Sequence, residues 1–259
     1  MNEPAHAALY DEWARYYDLL QGDRAPMIEF YRSLIQPGAR SLLELACGTG
    51  TVTIALAAEL TRHTPDARVV GVDESAGMLE IARSRDQRIA WVPGDMRSPP
   101  VSGRFDLVVC CFNTMQCLTS DVELGRFFET VRPLLSDAGV FAFDIYQPNL
   151  DYLNNTYADR CVRAVNDDRG RPLELRESTI YDATSQILTF DLALGERDRC
   201  GGAAVPITRI SYRMRQYFPS QIERLLAGAN LAIHDRYGDF DRSPFTPTAK
   251  KQVIVCGRS

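Results

Sequence analysis

The segment LLELACGTG, residues 42–50, constrains the fold of this chain more than any other feature. Its apolar first half predicts a buried parallel strand, and Gly48 and Gly50 permit a tight turn that opens a helix near Thr51. A second apolar run follows and ends in an acid, Asp73, 23 positions after Gly50. This order is typical of a βα turn at which a nucleotide binds.

The residues around this turn discriminate between nucleotide cofactors. A dinucleotide fold has a third glycine at position 53 and seats a pyrophosphate on the helix N-terminus, but this chain has Thr53 there. Glu44 lies on the strand itself, where a carboxylate repels phosphates. The same charge suits a cofactor that carries an ammonium and a sulfonium beside its adenosine. The pattern therefore favours S-adenosylmethionine over NAD.

Acids also follow the next two predicted strands. Asp73 can accept both hydroxyls of an adenine ribose, as an acid in this position does in nucleotide folds. The strand Ile89 to Val92 ends in Gly94-Asp95-Met96, where the carboxylate can accept the adenine amino group. With these residues in place, the stretch from about residue 38 to residue 147 resembles the class I S-adenosylmethionine-dependent methyltransferases.

The resemblance implies a role for each matching position. In the family, the glycine loop lies against the methionine part of the cofactor, the acid after the second strand holds the ribose, and the acid after the third strand holds the adenine edge. Neighbouring positions complete the expected contact set. The residues predicted to bind S-adenosylmethionine are Tyr17, Glu44, Ala46, Gly48, Gly50, Asp73, Glu74, Met78, Asp95, Met96 and Phe112.

The order of the elements predicts an α/β fold. Five mostly apolar strands alternate with helices over residues 38–147, which predicts a doubly wound, mostly parallel, Rossmann-like sheet. Residues 219–259 add two strands and complete this cofactor-binding core with a seven-stranded sheet. A chain of 259 residues can bury one such core with a small addition, so we expect a single methyltransferase domain over 1–259.

Two segments outside the core are predicted to close the site. Within residues 148–218, three runs alternate with period two, which predicts an antiparallel β insertion after strand five that caps the substrate. The segment ALYDEWARYYDLLQGD has apolar residues at near-helical spacing, and residues 1–37 are expected to form an N-terminal helical lid. In the family, such a leading helix often folds over the cofactor. The layout is similar to that of bacterial small-molecule N-methyltransferases.

Methyl transfer requires mainly alignment, because the sulfonium already activates the methyl carbon. Nucleophile, methyl and sulfur must be held in line in a dry pocket, and a dedicated base is optional for an amine. The loop after strand four lies at the carboxyl end of the sheet, so Asn113 is the first candidate to orient substrate or cofactor. Tyr17 lies in a Tyr-Asp-Leu triplet that resembles the lid helix of sugar N-methyltransferases. Tyr17 and Asn113 are therefore the candidate catalytic residues.

Further side chains are candidates for holding the acceptor. One face of the last inserted strand carries an arginine-rich row, which consists of Arg209, Arg213, Arg215 and Tyr217. Guanidinium groups suit an anionic or carbonyl-rich ligand, and Arg215 and Tyr217 are the candidates because they lie nearest the core. Structural interpretations compete with these roles, since Asn113 can cap a turn, aromatic residues can pack in a core and the row can be a solvated face. The predicted substrate-binding residues are Tyr10, Trp13, Asn113, Gln116, Tyr146, Arg215 and Tyr217.

Composition narrows the partners to a small molecule. The net charge of −5 argues against a nucleic acid, because phosphate neutralisation needs a basic face. No apolar run is long enough to span a bilayer and the N-terminus has no signal-peptide pattern, so we expect a cytoplasmic protein without a membrane partner. Seven irregularly spaced cysteines fit reduced thiols, and no acid cluster has metal-ligand spacing, so no metal is assigned. A monomer or homodimer is expected.

The leading hypothesis is methyl transfer from S-adenosylmethionine to a nitrogen of a small acceptor, such as an amine, an amino sugar or a heterocycle, with release of S-adenosylhomocysteine. Nitrogen is preferred over oxygen because of the family likeness and because no histidine is well placed as a base. One alternative is a small-molecule O-methyltransferase, with Tyr17 or His6 as base. Another is a non-methylating cofactor-binding protein or a cyclase on the same fold.

Overall fold

Two β-sheets organise the chain. A computed structural model describes residues 6–197 and 205–259. The strands are β1 (Ser41–Leu45), β2 (Arg68–Asp73), β3 (Ala90–Pro93), β4 (Phe105–Cys110), β5 (Leu135–Tyr146), β6 (Tyr157–Asn166), β7 (Pro172–Asp182), β8 (Ile187–Glu196), β9 (Val205–Arg215), β10 (Leu231–Tyr237) and β11 (Lys251–Arg258). The main sheet has the order β10-β11-β5-β4-β1-β2-β3, and the second sheet has the order β6-β7-β8-β9.

The predicted seven-stranded, mostly parallel sheet is confirmed. Every neighbouring pair in the main sheet is parallel except the two pairs that involve β11. The strand order reverses at β1 and β4, so the ligand crevice is expected at the carboxyl ends of these strands.

Helices cover both faces of the main sheet. They are α1 (His6–Leu20), α2 (Ala25–Arg32), α3 (Thr51–His63), α4 (Ala76–Arg85), α5 (Asp121–Leu134), α6 (Leu150–Leu153) and α7 (Pro219–Gly228), with a 3₁₀ turn at Thr114–Cys117. On one face, α5 and α7 bury Phe127, Phe128 and Leu226 against the strands. On the other face, α2 and α3 bury Phe30 and Leu56. In the described part of the chain, no helix is both long and apolar enough to cross a bilayer.

The second sheet is the predicted antiparallel insertion, with one strand more than the three that the sequence indicated. The additional strand is β6, which pairs only with β7 and is interrupted by two irregularities in its register. None of its residues is fully buried and its half-buried residues follow no regular spacing, so the sequence YADRCVRAVN shows no apolar alternation. An edge strand of this kind gives little signal to a pattern of period two.

The two N-terminal helices have different positions. Helix α1 packs Trp13 and Leu20 against Leu194 and Ile210 of the inserted sheet, which is the position expected of a lid. Helix α2 belongs instead to the main core, where Tyr31 is fully buried. Within residues 6–37, the lid is therefore α1.

Candidate functional site

A cavity of about 380 Å³ lies where the carboxyl ends of β1 to β5 meet the lid helix and the inserted sheet. Most of the predicted site residues come together there, although they derive from six separate segments of the chain. The predicted residues that line the cavity are Tyr10, Trp13, Tyr17, Ala46, Gly48, Asp73, Glu74, Met78, Asp95, Met96, Phe112, Asn113 and Tyr146.

The two glycines of the first turn have different tasks. Both adopt left-handed backbone angles, with φ of 53° at Gly48 and 76° at Gly50. A Cβ on Gly48 would lie 3.9 Å from the ring of Tyr17, on the cavity side, so the missing side chain leaves room for a ligand. A Cβ on Gly50 would lie 2.5 Å from the ring of Trp91. Gly50 therefore permits core packing beneath the turn rather than lining the cavity.

Four acids line the cavity wall; Asp73, Glu74 and Asp95 lie together at the ends of β2 and β3 with Arg97, which pairs with Asp95 at 2.7 Å, and Glu123 comes from α5. Asp73 accepts hydrogen bonds from the backbone N–H groups of Gly48, at 2.7 Å, and Ser75, at 2.9 Å. Burial raises its pKa. Burial, and then the neighbouring Asp95 carboxylate, raise the pKa of Glu74. An array of hydroxyl-accepting carboxylates beside a glycine turn fits an adenosine that carries a positive charge.

Glu44 is not part of that wall. It is 2% exposed and accepts a hydrogen bond from the hydroxyl of Thr53 beneath the glycine turn. Burial raises its pKa to about 8, so the protonated form dominates at neutral pH. The charge that faces the cavity comes from the acids after β2 and β3, and not from Glu44 as the sequence argument supposed.

Two carboxylates fix the lid helix across the cavity. Asp11 accepts from the Ser75 hydroxyl, at 2.6 Å, and from the Gly77 N–H, at 2.9 Å. Asp18 accepts from the Thr49 hydroxyl at 2.9 Å and pairs with Arg85 at 2.5 Å. Positions seven residues apart share one face of a helix. Sequence reasoning missed both residues, although their spacing was a usable signal.

Arg24, which precedes α2, was also missed. Its guanidinium lies over the rings of Phe112, at 5.0 Å, and Tyr17, at 5.5 Å, and one nitrogen pairs with Asp18 at 2.7 Å. Among the described residues, its Nη2 is buried without a hydrogen-bond partner. An unpaired buried donor costs free energy, so this geometry suits an anionic ligand group such as the carboxylate of a bound amino acid moiety.

The loop after β4 holds Asn113 at the cavity wall in a strained conformation. Phe112 and Asn113 have φ of 63° and 58°, a region that residues other than glycine rarely adopt. Two contacts hold the loop there. The N–H of Phe112 donates to Asp144 at 3.0 Å, and Oδ1 of Asn113 accepts from Lys251 at 2.9 Å.

The inserted sheet presents apolar side chains to the cavity. The lining residues from β8 and β9 are Leu192, Ile210, Tyr212 and Met214. Those from β9 have even numbers, whereas the arginine-rich row predicted to bind substrate has odd numbers and lies on the opposite face.

Three of the predicted substrate-binding residues lie outside the cavity and connect the insertion to the core. Arg215 pairs with Asp121 at 2.9 Å, and Tyr217 is fully buried and donates to the carbonyl of Leu118. Gln116 is fully buried as well, donates to the carbonyl of Arg215 at 3.0 Å and accepts from the N–H of Tyr146 at 2.9 Å. Each side chain already has partners within the protein, and none of the three projects into the cavity.

The hydroxyls of Tyr10 and Tyr17 and the thiol of Cys117 stay protonated at neutral pH. Burial raises the pKa of Tyr10 and of Tyr17. Burial also raises the pKa of the Cys117 thiol to about 12. The side chain of His6 lies outside the described side chains. Within the described residues, no group of three or more His, Cys, Asp or Glu side chains is arranged to hold a metal ion.

Comparison with known proteins identifies the family. Residues 42–139, which contain the glycine turn and the acids after β2 and β3, match the sequence model of a methyltransferase domain. The family that this segment matches is therefore that of methyltransferase domains. The solved structures with a similar fold include CalS10 of Micromonospora echinaspora, an amino pentose methyltransferase with bound S-adenosylmethionine.

Relatives match this methyltransferase to different extents. The cypemycin N-terminal methyltransferase of a Streptomyces species is 25% identical over 265 residues, which cover 100% of both chains. The dTDP-3-amino-3,6-dideoxy-alpha-D-glucopyranose N,N-dimethyltransferase of Streptomyces fradiae is 38% identical over 95 residues, which cover 36% of this chain and 34% of that protein. The chain spans 49% and 57% of the length of two further curated relatives.

The fold also has close counterparts among solved structures. The CcbJ methyltransferase from Streptomyces caelestis has a TM-score of 0.77 at 24% identity, and the match covers 95% of this chain and 96% of that chain. With this coverage the match includes most of the inserted sheet, so the likeness extends beyond the core formed by residues 38–147.

Proposed function

We propose that this methyltransferase transfers the methyl group of S-adenosylmethionine to a nitrogen of a small-molecule amine. The observation that supports this most is the composition of the cavity. The end formed by Gly48, Asp73 and Asp95, called the cofactor end, is acidic, and the end enclosed by the lid and the inserted sheet, called the acceptor end, is aromatic and apolar. The hydroxyls of Tyr10 and Tyr17 and the thiol of Cys117 stay protonated. A hydroxyl nucleophile needs a base, whereas a neutral amine carries its own lone pair.

The cofactor would be held by groups from four parts of the chain. Asp73 would bind the ribose, Asp95 the adenine edge and the Gly48 backbone the methionine part. The unpaired Nη2 of Arg24 fits the carboxylate at the end of that part. The chemistry that the bound cofactor supplies is a methyl group carried on a sulfonium.

The protein would act mainly through position and exclusion of water. Tyr10, Trp13 and Tyr17 of the lid, with Tyr212 and Met214 of the inserted sheet, enclose the acceptor end. These side chains place an amine in a dry pocket without offering it a base. The acidic wall favours approach of a cationic amine, which gives up its proton to solvent before it reacts.

Two of the relatives are named for methylation of an amine, which supports nitrogen as the accepting atom. One relative methylates an amino group of a dTDP-linked sugar, and another is named for methylation of a peptide N-terminus. Both acceptors are amines, although one carries a nucleoside diphosphate and the other a peptide. We therefore propose an amine as acceptor.

The experiment combines cofactor binding with a panel of acceptors. Calorimetry should give micromolar binding of S-adenosylmethionine and S-adenosylhomocysteine to the wild type, and Asp73→Ala should weaken it at least tenfold because a ribose-binding carboxylate is lost. The control is Asp66→Ala, since Asp66 is an exposed acid of the same type. Methyl transfer from labelled cofactor should then occur with amines and not with matched phenols or alcohols. Transfer to the oxygen acceptors alone would contradict the proposal.

A further inference from the structure

Lys251 is one of two lysines in the chain, and its ammonium lies behind the cavity wall. It donates to Oδ1 of Asn113 at 2.9 Å and to Oδ2 of Asp144 at 2.7 Å. Asp144 is fully buried, and its Oδ1 accepts from the Tyr31 hydroxyl at 2.9 Å and from the Phe112 N–H at 3.0 Å. The four contacts hold the ammonium, the carboxylate and the strained loop in one arrangement.

This arrangement determines which end of the Asn113 amide faces the ligand. A lysine ammonium has three donors and no acceptor, so the amide must turn its oxygen toward Lys251. The opposite orientation would bring two donors together. Asn113 is 7% exposed and lines the cavity, and in the described part of the chain its Nδ2 has no hydrogen-bond partner. The wall therefore offers the ligand an N–H donor at this position.

We infer that Lys251 is a positioning residue that selects the acceptor through Asn113, so that the acceptor is an amine with a hydrogen-bond-accepting oxygen, a carbonyl or a hydroxyl, close to the nitrogen that is methylated. This rests on the proposed function. The remaining wall near Asn113 is aromatic and apolar, with Tyr146, Tyr212 and Met214. The body of the acceptor is therefore expected to be uncharged. An acceptor without the oxygen would leave the amide donor unpaired in a dry pocket.

The contact itself can be tested without any acceptor. With two lysines, protein labelled with ¹⁵N at lysine Nζ gives two side-chain signals in NMR spectra. We expect slow hydrogen exchange for the ammonium of Lys251 and fast exchange for that of the exposed Lys250. Asn113→Ala should accelerate exchange at Lys251 and leave Lys250 unchanged. Equally fast exchange at both lysines in the wild type would overturn the inference.

The acceptor class is tested with a matched pair of probes, 2-amino-1-phenylethanol and 2-phenylethylamine, which differ only in one hydroxyl. Their dissociation constants are measured on the complex of the wild type with S-adenosylhomocysteine, so that no turnover is needed. The hydroxyl should improve binding roughly tenfold. Asn113→Ala removes the amide donor and offers the hydroxyl no other partner, so the ratio of the two constants should fall to about one. An unchanged ratio in this variant would refute the role of the amide.

Lys251→Met should also abolish the preference for the hydroxyl, and Lys250→Met should retain it. Because Lys251→Met strands the buried Asp144 carboxylate, the double variant Lys251→Met/Asp144→Asn is measured as well. It should bind S-adenosylhomocysteine as the wild type does and show no preference. A double variant that binds the cofactor product normally and still prefers the hydroxyl would overturn the inference.

The outcomes separate this inference from the proposed function. Equal binding of both amines by the wild type, together with methylation of other amines, would overturn the inference and leave the proposed function intact. Failure of the wild type to bind S-adenosylhomocysteine would contradict the proposed function itself, and the inference with it.

Discussion

The two ends of the cavity are built in different ways. The cofactor end consists of strand ends and turns within residues 46–97, where Gly48, Asp73 and Asp95 follow consecutive strands of one sheet. The acceptor end is assembled from the lid helix, the inserted sheet and the loop after β4, where contacts join residues 99 and 138 positions apart. The first end depends on local backbone geometry, and the second depends on how separate elements pack. Substitutions should therefore affect the two ends separately.

The largest effect is expected at the turn of the cofactor end. Gly50→Ala would force a left-handed φ on alanine and bring Cβ within 2.5 Å of Trp91. We expect a loss of more than about 3 kcal/mol in the free energy of unfolding, together with loss of cofactor binding. Chemical denaturation and calorimetry would measure both.

Gly170→Ala is the matched control for that substitution. Gly170 also has a left-handed φ, of 74°, but a Cβ there would meet nothing within 4 Å. Its substitution should cost only the backbone strain, on the order of 1 kcal/mol. Equal losses for the two variants would show that the contact with Trp91 is not what requires Gly50.

The second effect concerns the buried acid beneath the cofactor end. The pKa of Glu44 rises from 4.5 to about 8 on folding, so between these values the folded state holds a proton that the unfolded state has released. The unfolded state then binds fewer protons, and stability falls as pH rises from about 4.5 to about 8. At about 1.4 kcal/mol per pKa unit, the loss is on the order of 5 kcal/mol.

Glu44→Gln should remove this pH dependence, because a neutral amide keeps an oxygen for Thr53 and cannot ionise. Denaturant unfolding between pH 5 and pH 9 should show the variant gaining on the wild type as pH rises, with a plateau above about pH 8. Glu80→Gln, at an exposed position of α4, is the control. A constant difference between Glu44→Gln and the wild type over this range would contradict a buried, protonated Glu44.

The cofactor end was accessible to sequence reasoning because its signals are local. The apolar runs, the paired glycines and the acids after β2 and β3 each lie within one short segment, and the fold required them to meet at one edge of the sheet. The acceptor end was less accessible. A period of two separates the faces of β9, but only packing decides that Tyr212, and not the arginine-rich row, faces the cavity.

Contacts between distant segments explain the other omissions. The pair of Lys251 and Asn113 joins residues 138 positions apart, and no pattern around either residue indicates the other. Arg24 lies in a short connection between two helices, where the sequence alone suggests a solvated side chain. At both ends of the cavity, the residues that sequence reasoning missed are therefore those whose contacts join distant segments.

At the acceptor end, Tyr212→Ala should impair the acceptor and spare the cofactor. Tyr212 lines the cavity and stacks on Phe190 with ring centroids 5.0 Å apart. Removing the ring should raise KM for the best amine of the panel about tenfold, with cofactor affinity changed less than twofold. Arg213→Ala, on the opposite face of β9, should leave both quantities within about twofold. A larger effect of Arg213→Ala would show that the arginine-rich row contributes to binding.

The smallest effect is expected where the lid joins the two ends. Asp11 accepts from Ser75 and Gly77 at the start of α4, and the Ser75 hydroxyl in particular lowers its pKa. Because Asp11 is exposed, solvent and salt screen this contact, and Asp11→Ala should weaken lid docking by only a few tenths of a kcal/mol. Release of S-adenosylhomocysteine, followed by the fluorescence of Trp13, should become about twofold faster at low salt and unchanged at high salt.

The pH dependence of the wild type follows from the lowered pKa of Asp11. The stabilisation of the docked lid should be fully present above the ordinary pKa of an aspartate, about 4, and should be lost only when pH falls below that value. Glu12→Ala, at the adjacent exposed position, should leave the release rate unchanged, and an equal acceleration by that variant would assign the effect to helix propensity or net charge rather than to the contact of Asp11 with α4.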